Sequence, residues 1–287
     1  MRTKEKRCYD GYLVQNLDPV VFLMPYIMPR RTDSEAMIDL KLDLTKVDIF
    51  LREQRKEMPG LTLYHFFFAA LVRAAAVTPQ INRFIAGNRI YQRRSVRISM
   101  MIKKRLEVEG KESTIYPTFE KTDTLADIVR KTNELAEEAM AKLDDNSNGF
   151  DRLTGILYAV PPFVVRAFIR FMMLLDRHGK LPKALVDLQP FHSAFFVTNV
   201  GSIGLPVIYH HLYEFGTTSG FASIGAKETI TTISPKGEIQ TTRVLPVKFV
   251  LDARICDGYT YSCAFRTIRK CFDRPEWLLE SSEPAEP

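Results

Sequence analysis

The chain of 287 residues contains only five histidines, four cysteines and one tryptophan. The cysteines are Cys8, Cys256, Cys263 and Cys271, and they form neither a CxxC pair nor a cluster with histidine. Closely spaced Cys and His ligands mark structural zinc sites, so the sequence predicts no metal site and no permanently bound cofactor. The first residues show no signal-peptide pattern, and these thiols are therefore expected in the reducing cytoplasm.

Long apolar runs and nucleic-acid motifs are also missing. The nearest candidate for a membrane span, residues 155–175, is interrupted by Pro161, Pro162, Arg166 and Arg170, and a span needs ~18 apolar residues in a row. No signature of a nucleic-acid module occurs, so nucleic acid is not an expected partner. The formal net charge of +6 fits a solvated basic surface, with attraction to the phosphates of a nucleotide-bearing cofactor as the alternative.

The residues that are present suit a globular fold, since 46% are hydrophobic and 26% charged. Apolar alternation predicts strands at 38–44, 96–102, 194–198 and 244–255, and helical spacing predicts helices at 46–56, 62–77, 125–143, 163–175 and 259–272. No internal repeat or linker divides the chain. The pattern predicts one α/β domain of the α+β kind over residues 1–287, with a mixed sheet covered by helices.

Two short motifs in a fixed order carry a resemblance to a known family. Residues 195–204 read Phe-Phe-Val-Thr-Asn-Val-Gly-Ser-Ile-Gly, and residues 251–258 read Leu-Asp-Ala-Arg-Ile-Cys-Asp-Gly. The first resembles the S-N-L-G-x-x-G stretch, and the second the D-H-R-x-x-D-G signature, of the coenzyme A-dependent acyltransferases. This superfamily contains chloramphenicol acetyltransferase and the catalytic domain of dihydrolipoamide acyltransferase. With a Pro-x-Ile-Asn step at 79–82, the resemblance covers about residues 25–275.

The resemblance implies a chloramphenicol acetyltransferase-like fold and a homotrimer with its active site in a channel between subunits. Coenzyme A or acyl-coenzyme A is the implied co-substrate, and an acyl-thioester small molecule the implied partner. In the family a histidine takes the proton from the attacking group, and a Ser or Thr hydroxyl stabilises the oxyanion. Thr198 matches the hydroxyl position and Ala253 the histidine position. Asp257 matches an architectural aspartate, with Arg30 or Arg31 as its partner.

Ala253 is the departure from the family pattern, because alanine accepts no proton and a general base contributes on the order of 10²–10⁴ in rate. Three explanations stay open. The chain is a natural pseudoenzyme that binds a thioester or acts as a scaffold, an acyltransferase whose base comes from elsewhere, or an engineered His→Ala variant. His192, shortly before Thr198, and the adjacent His210 and His211 are the alternative bases, weighed against the commoner structural role of a histidine. Acyl transfer is the favoured activity.

Further expectations concern the chain's organisation and its most apolar helix. About thirty residues precede the matching region, too few for a lipoyl or subunit-binding domain, so a stand-alone acyltransferase is expected rather than a 2-oxo acid dehydrogenase core. Arg166 and Arg170 lie one turn apart and share one face of this helix. This helix either covers the core, forms a trimer contact, or makes a weak membrane-surface contact through residues 162–175. No residue is assigned to cofactor binding.

Overall fold

The computed structural model describes residues 7–103, 112–145, 155, 158–233 and 237–282. The helices are α1 (Pro19–Ile27), α2 (Thr45–Gln54), α3 (Leu63–Val77), α4 (Leu125–Asp145), α5 (Pro162–Arg177), α6 (Lys183–Asp187) and α7 (Gly258–Asp273). The strands are β1 (Arg7–Cys8), β2 (Gly11–Leu13), β3 (Glu35–Asp43), β4 (Arg83–Ala86), β5 (Arg89–Arg93), β6 (Val96–Lys103), β7 (Glu112–Ile115), β8 (Thr118–Phe119), β9 (Phe195–Asn199), β10 (Gly220–Ile224), β11 (Glu228–Ile233) and β12 (Ile239–Asp252).

The larger sheet has the strand order β11-β12-β10-β9-β6-β7, with β3 paired to β12 and β8 paired to β6. Strand β9 runs parallel to β10 and β6, whereas β12 runs antiparallel to β10 and β3. The predicted mixed sheet is therefore confirmed. Leu251 lies opposite Gly220, which lies opposite Phe195. The C-terminal end of β12 thus shares one end of the sheet with the N-terminal ends of β9 and β10.

Helix α3 lies at the centre of the core. Its N-cap residue is Thr62, whose hydroxyl accepts from the backbone N–H of His65, while the backbone N–H of Thr62 donates to Nδ1 of the His65 ring. Phe66, Phe67 and Phe68 are completely buried at successive positions. The helix packs against α4, α7 and β6. Apolar side chains on every face suit a helix enclosed between layers, as the sequence predicts.

A second sheet with the order β1-β2-β5-β4 is not among the predicted elements. Its β4–β5 hairpin turns at Gly87 and Asn88, which both have positive φ, 57° and 55°. Such a pair is typical of the type I′ turn that closes a two-residue hairpin. The strands escape prediction because they are short and because Gln92 and Arg93 are buried, which removes the apolar alternation.

Strand β12 ends at Asp252 rather than at the predicted Ile255. Residues 253–256 turn toward α7, and the backbone N–H of Ala253 donates to the carbonyl of Ser34, 2.9 Å away. The prediction of a strand that continues through Ala253 to Ile255 is therefore wrong. The residue at the family's histidine position sits in a corner between β12 and α7.

Helix α5 covers little of the core, since Met172 and Asp176 are the residues it buries. Phe163, Phe171 and Leu174 are exposed by 73%, 56% and 55%. The expectation that this helix covers the core is not met within one chain. Among the described residues, no helix is long and apolar enough to cross a membrane.

Candidate functional site

The corner after β12 is built on a buried ion pair between Asp252 and Arg254. The Arg254 Nε and Nη2 atoms donate to the two carboxylate oxygens of Asp252 over 2.8 and 2.7 Å. Ser34 Oγ donates to the same carboxylate over 3.2 Å, and Arg254 Nη1 donates to the carbonyl of Met28. A bidentate arginine–carboxylate pair fixes both distance and orientation. The pair therefore fastens the segment before β3 to the end of β12.

The backbone on both sides of Ala253 is held by the same corner. The Asp252 N–H donates to the carbonyl of Ser219 over 2.9 Å, and the hydroxyl of Tyr261 donates to the carbonyl of Asp252 over 2.8 Å. The Ala253 N–H donates to Ser34, while the Ala253 side chain remains half-buried. The position that carries histidine in the family is therefore fixed and still partly accessible.

Asp257 takes a different role from the one predicted for it. Its carboxylate accepts from the Thr260 N–H over 2.7 Å and caps α7, and this bond lowers the pKa of Asp257. A carboxylate at a helix N-terminus is a favourable cap. The ion pairs between described residues include none from Asp257 to Arg30 or Arg31. The predicted partnership is not formed, because the exposed carboxylate bonds to the helix N-terminus.

Arg31 is the buried one of the two N-terminal arginines, with 7% of its surface exposed. Its Nη1 atom donates to the carbonyls of Glu214 and Tyr213 over 2.8 and 3.3 Å. Burial lowers the pKa of Arg31, and the negative charge of Asp252 acts against that. Of the two aspartates in the second motif, Asp252 rather than Asp257 is therefore the one whose charge acts on Arg31.

Thr198 lies near the opposite end of the sheet from Ala253. It is half-buried on β9, and its hydroxyl bonds to no described residue. Thr198 is opposite Ser223, which is opposite Lys248 on β12. Ala253 lies five residues further on, roughly 16 Å along the strand direction at about 3.3 Å per residue. One chain does not bring the two positions together, so a site that uses both needs them from two copies.

The first motif needs Gly201 because two stretches of backbone meet there. A Cβ atom at Gly201 would lie 2.3 Å from the carbonyl carbon of Gly225 and 2.4 Å from the nitrogen of Ala226. The neighbouring Asn199 side chain accepts from the Ser202 N–H over 3.0 Å and closes the turn after β9. The glycine and the asparagine of the motif therefore both shape the turn beside Thr198.

We expect Gly201→Ala to lower the free energy of unfolding by about 1–3 kcal/mol, because backbone must move to admit the methyl group. Gly258→Ala is the matched control from the second motif, since a Cβ at Gly258 meets nothing within 4 Å. Its stability should stay unchanged or rise. Urea unfolding of both variants measures the difference, and equal destabilisation would contradict the close approach at Gly201.

His192 is buried at the end of the sheet that carries Ala253, and its side chain is bonded to Asp176. Its Nε2 atom donates to Asp176 over 2.8 Å, and the same carboxylate accepts from Tyr9 Oη over 3.0 Å and from Gly216 N–H over 2.6 Å. Burial lowers the pKa of His192, and the bond to Asp176 only partly offsets that. Burial raises the pKa of Asp176, but the bonds from His192, Gly216 and Tyr9 outweigh it and lower the pKa overall. His192 is therefore a neutral structural donor.

Acidification should destabilise the protein through His192. The unfolded side chain takes up a proton near pH 6.5, whereas the folded one resists it. The contribution of neutral His192 to the free energy of unfolding is therefore complete above about pH 6.5. As the pH falls from there toward the lower pKa of folded His192, the free energy of unfolding decreases by up to about 1.4 kcal/mol per pH unit. His192→Gln should flatten this dependence. Urea unfolding at about pH 7.5 and about pH 5.5 measures it, and an equal slope in both proteins would contradict the assignment.

Comparison with known proteins identifies the fold. No protein-family model matches the chain, and no curated protein matches it. Among solved structures, a probable dihydrolipoamide acetyltransferase from Listeria monocytogenes is 18% identical, with a TM-score of 0.57 over 91% of this chain and 94% of that chain. The dihydrolipoamide acetyltransferase of Azotobacter vinelandii is 15% identical, with a TM-score of 0.58 over 93% and 94%. The fold is that of dihydrolipoamide acetyltransferase.

The same likeness extends to the cubic core of a pyruvate dehydrogenase multienzyme complex, with a TM-score of 0.58 and 13% identity over 93% of this chain and 94% of that chain. At such identities the shared feature is the fold. The predicted α/β fold, with a mixed sheet covered by helices, is thereby confirmed. Within the described ranges, no group of three or more His, Cys, Asp and Glu side chains is placed to hold a metal ion.

Proposed function

We propose that the chain binds an acyl group carried as a coenzyme A-type thioester, at a site where Thr198 of one copy faces the Ala253 corner of another copy in a homotrimer. The observation that carries this proposal is the corner itself. Asp252, Arg254 and Ser34 hold position 253 in a buried network although the residue there is alanine. The acetyltransferase-like fold, which matches over nine-tenths of the chain, supports it.

Of the two groups that acyl transfer uses in the family, the chain has the oxyanion donor and lacks the general base. The Thr198 hydroxyl is unbonded among the described residues and suits an oxyanion, which such donors stabilise in acyl transfer. The proton of the attacking thiol or hydroxyl has no acceptor at Ala253. The carboxylate of Asp252 does not replace it, since Arg254 and Ser34 already occupy its oxygens. The residues thus favour binding, and transfer would need a proton acceptor other than residue 253.

The absence of the base favours a second candidate function. A thioester-binding or scaffolding homologue needs the pocket and the subunit contacts but no general base, and a change at position 253 alone suffices to produce it. An engineered His→Ala variant of an active acyltransferase would have the same residues. Restoring histidine separates a site that lacks only its base from one that has lost the chemistry.

Thermal unfolding with ligand tests the pocket. Acetyl-coenzyme A should stabilise the protein by about 2.7 kcal/mol at a hundredfold excess over its Kd, because it binds the folded state alone. Adenosine 3′,5′-bisphosphate, which lacks the pantetheine arm and the acyl group, is the matched ligand control and should stabilise less. An absence of any shift at millimolar acetyl-coenzyme A would contradict thioester binding in both candidate functions and leave only the scaffolding role.

A further inference from the structure

A cavity of about 470 Å³ lies between the segment before β3, the β4–β5 hairpin and the C-terminal half of α5. Five of its lining residues are arginines: Arg30, Arg31, Arg170, Arg177 and Arg254. Its carboxylates are Asp176 and Glu214, and its apolar side is formed by Pro29, Ile85, Met173 and Leu174. The volume falls within the range of roughly 300–1,000 Å³ that is usual for small-molecule sites.

The two carboxylates of the cavity already have hydrogen-bond donors. Asp176 accepts from Tyr9, His192 and Gly216. Glu214 Oε1 accepts from the backbone N–H and the hydroxyl of Thr32 over 3.1 and 3.2 Å. Neither carboxylate forms an ion pair with an arginine of the lining, as far as the described residues show. The acidic residues therefore bond to the walls of the cavity and form no ion pair with its arginines.

Four of the five arginines form no ion pair with a carboxylate within the described ranges. Arg254 is neutralised by Asp252, but Arg30, Arg170 and Arg177 are exposed and enter no ion pair there. The Nε atom of Arg31 is buried without a hydrogen-bond partner. Like charges that share a cavity disfavour one another, and a bound anion relieves this. The cavity lining thus has five guanidinium groups and two carboxylates, an excess of positive charge.

We propose that this cavity binds the phosphate group of a small amphiphilic molecule, whose aliphatic part lies against Met173 and Leu174. Guanidinium groups pair with phosphate in a bidentate geometry, which an ammonium group does not offer. The apolar residues on one wall favour an aliphatic segment next to the phosphate. Both coenzyme A and an anionic phospholipid carry this chemistry. The test of this proposal stands apart from acyl transfer, because the residues it changes, Arg170 and Arg177, belong to α5 and not to the corner at Ala253.

Titration calorimetry with hexyl phosphate tests the site. Hexyl phosphate should bind more tightly than either inorganic phosphate, which lacks the chain, or hexanol, which lacks the charge. Arg170→Gln and Arg177→Gln should each weaken its binding at least about tenfold, since each removes a charge-assisted bond. Arg166→Gln is the matched control, because Arg166 lies on the same helix but outside the cavity lining. All variants change exposed or half-exposed residues of α5, and circular dichroism verifies that they fold.

Two further arms distinguish the source of the phosphate. Displacement of hexyl phosphate by coenzyme A, without binding to phosphatidylglycerol vesicles, assigns the cavity to a soluble phosphate ester. Binding to phosphatidylglycerol but not phosphatidylcholine vesicles, reduced by Arg170→Gln, assigns it to a lipid headgroup. Equal hexyl phosphate affinity in all variants, or no binding at millimolar probe, overturns the proposal. These results do not depend on turnover, so a failure of the proposed function stays distinguishable.

Discussion

Replacing Ala253 with histidine is expected to raise the rate of thiol release from acetyl-coenzyme A by about 10²–10⁴-fold, the usual contribution of a general base. Histidine suits this task because its ordinary pKa lies close to neutral pH. The backbone at this position is already fixed, since Asp252 and Ala253 are hydrogen-bonded to Ser34, Ser219 and Tyr261. Ala253 is half-buried, so its own chain does not fully enclose the position.

The matched control is Ala253→Gln, which adds a polar side chain of similar length but no group that takes up a proton near neutral pH. Its rate should stay at that of the unmodified chain. A higher rate of thiol release in both variants would show that the size of the side chain, and not its basicity, causes the effect. If the unmodified chain already turns over rapidly and histidine adds nothing, another group is the base. His192→Gln then shows whether that group is His192.

Asp252→Asn is expected to lower the free energy of unfolding by about 3–5 kcal/mol, the cost of leaving one member of a buried ion pair without its partner. Asp252 is 1% exposed and Arg254 is 4% exposed, so solvent does not replace the lost charge. The buried guanidinium of Arg31 lies in the same field and adds to the penalty. Equilibrium unfolding in urea, followed by circular dichroism, measures the change.

Asp257→Asn is the matched control, since it makes the same chemical change five residues further along the signature. Asn caps a helix about as well as Asp, so its effect should stay within a few tenths of a kcal/mol. The reverse order, with Asp257→Asn severe and Asp252→Asn mild, would contradict the structural account and restore the pairing that the resemblance implies. The two variants therefore decide which aspartate holds the corner together.

The elements that could be predicted are those whose sequence signals, such as a cap or an apolar run, lie within the element itself. Helix α3 follows from Thr62 as a cap and a run of apolar residues, and α7 follows from Asp257. The end of β12 could not be predicted, because the turn depends on Ser34 accepting from Ala253, a contact between distant parts of the chain. Helix α1 escaped prediction because its exposed apolar residues show no clear periodicity.

The candidate site, too, could be predicted from the sequence only in part. Thr198 and Ala253 follow from linear motifs, and the structure places them at opposite ends of the sheet, which only the strand directions reveal. The role of Asp252 could not be predicted, since two aspartates in one short motif are equivalent until one is buried. Likewise, the contact between Asp176 and His192 could not be predicted, because the two residues are sixteen positions apart and no sequence pattern indicates that they meet.

The most direct test of the proposed function is equilibrium dialysis of the unmodified protein against labelled acetyl-coenzyme A. The account predicts saturable binding, with a similar Kd in the Ala253→His variant, because alanine removes the base and leaves the pocket. Saturable binding together with a low rate of thiol release would establish a site that lacks only its base. No binding at millimolar acetyl-coenzyme A in either protein would contradict the account, since the fold would then have kept the corner without the pocket.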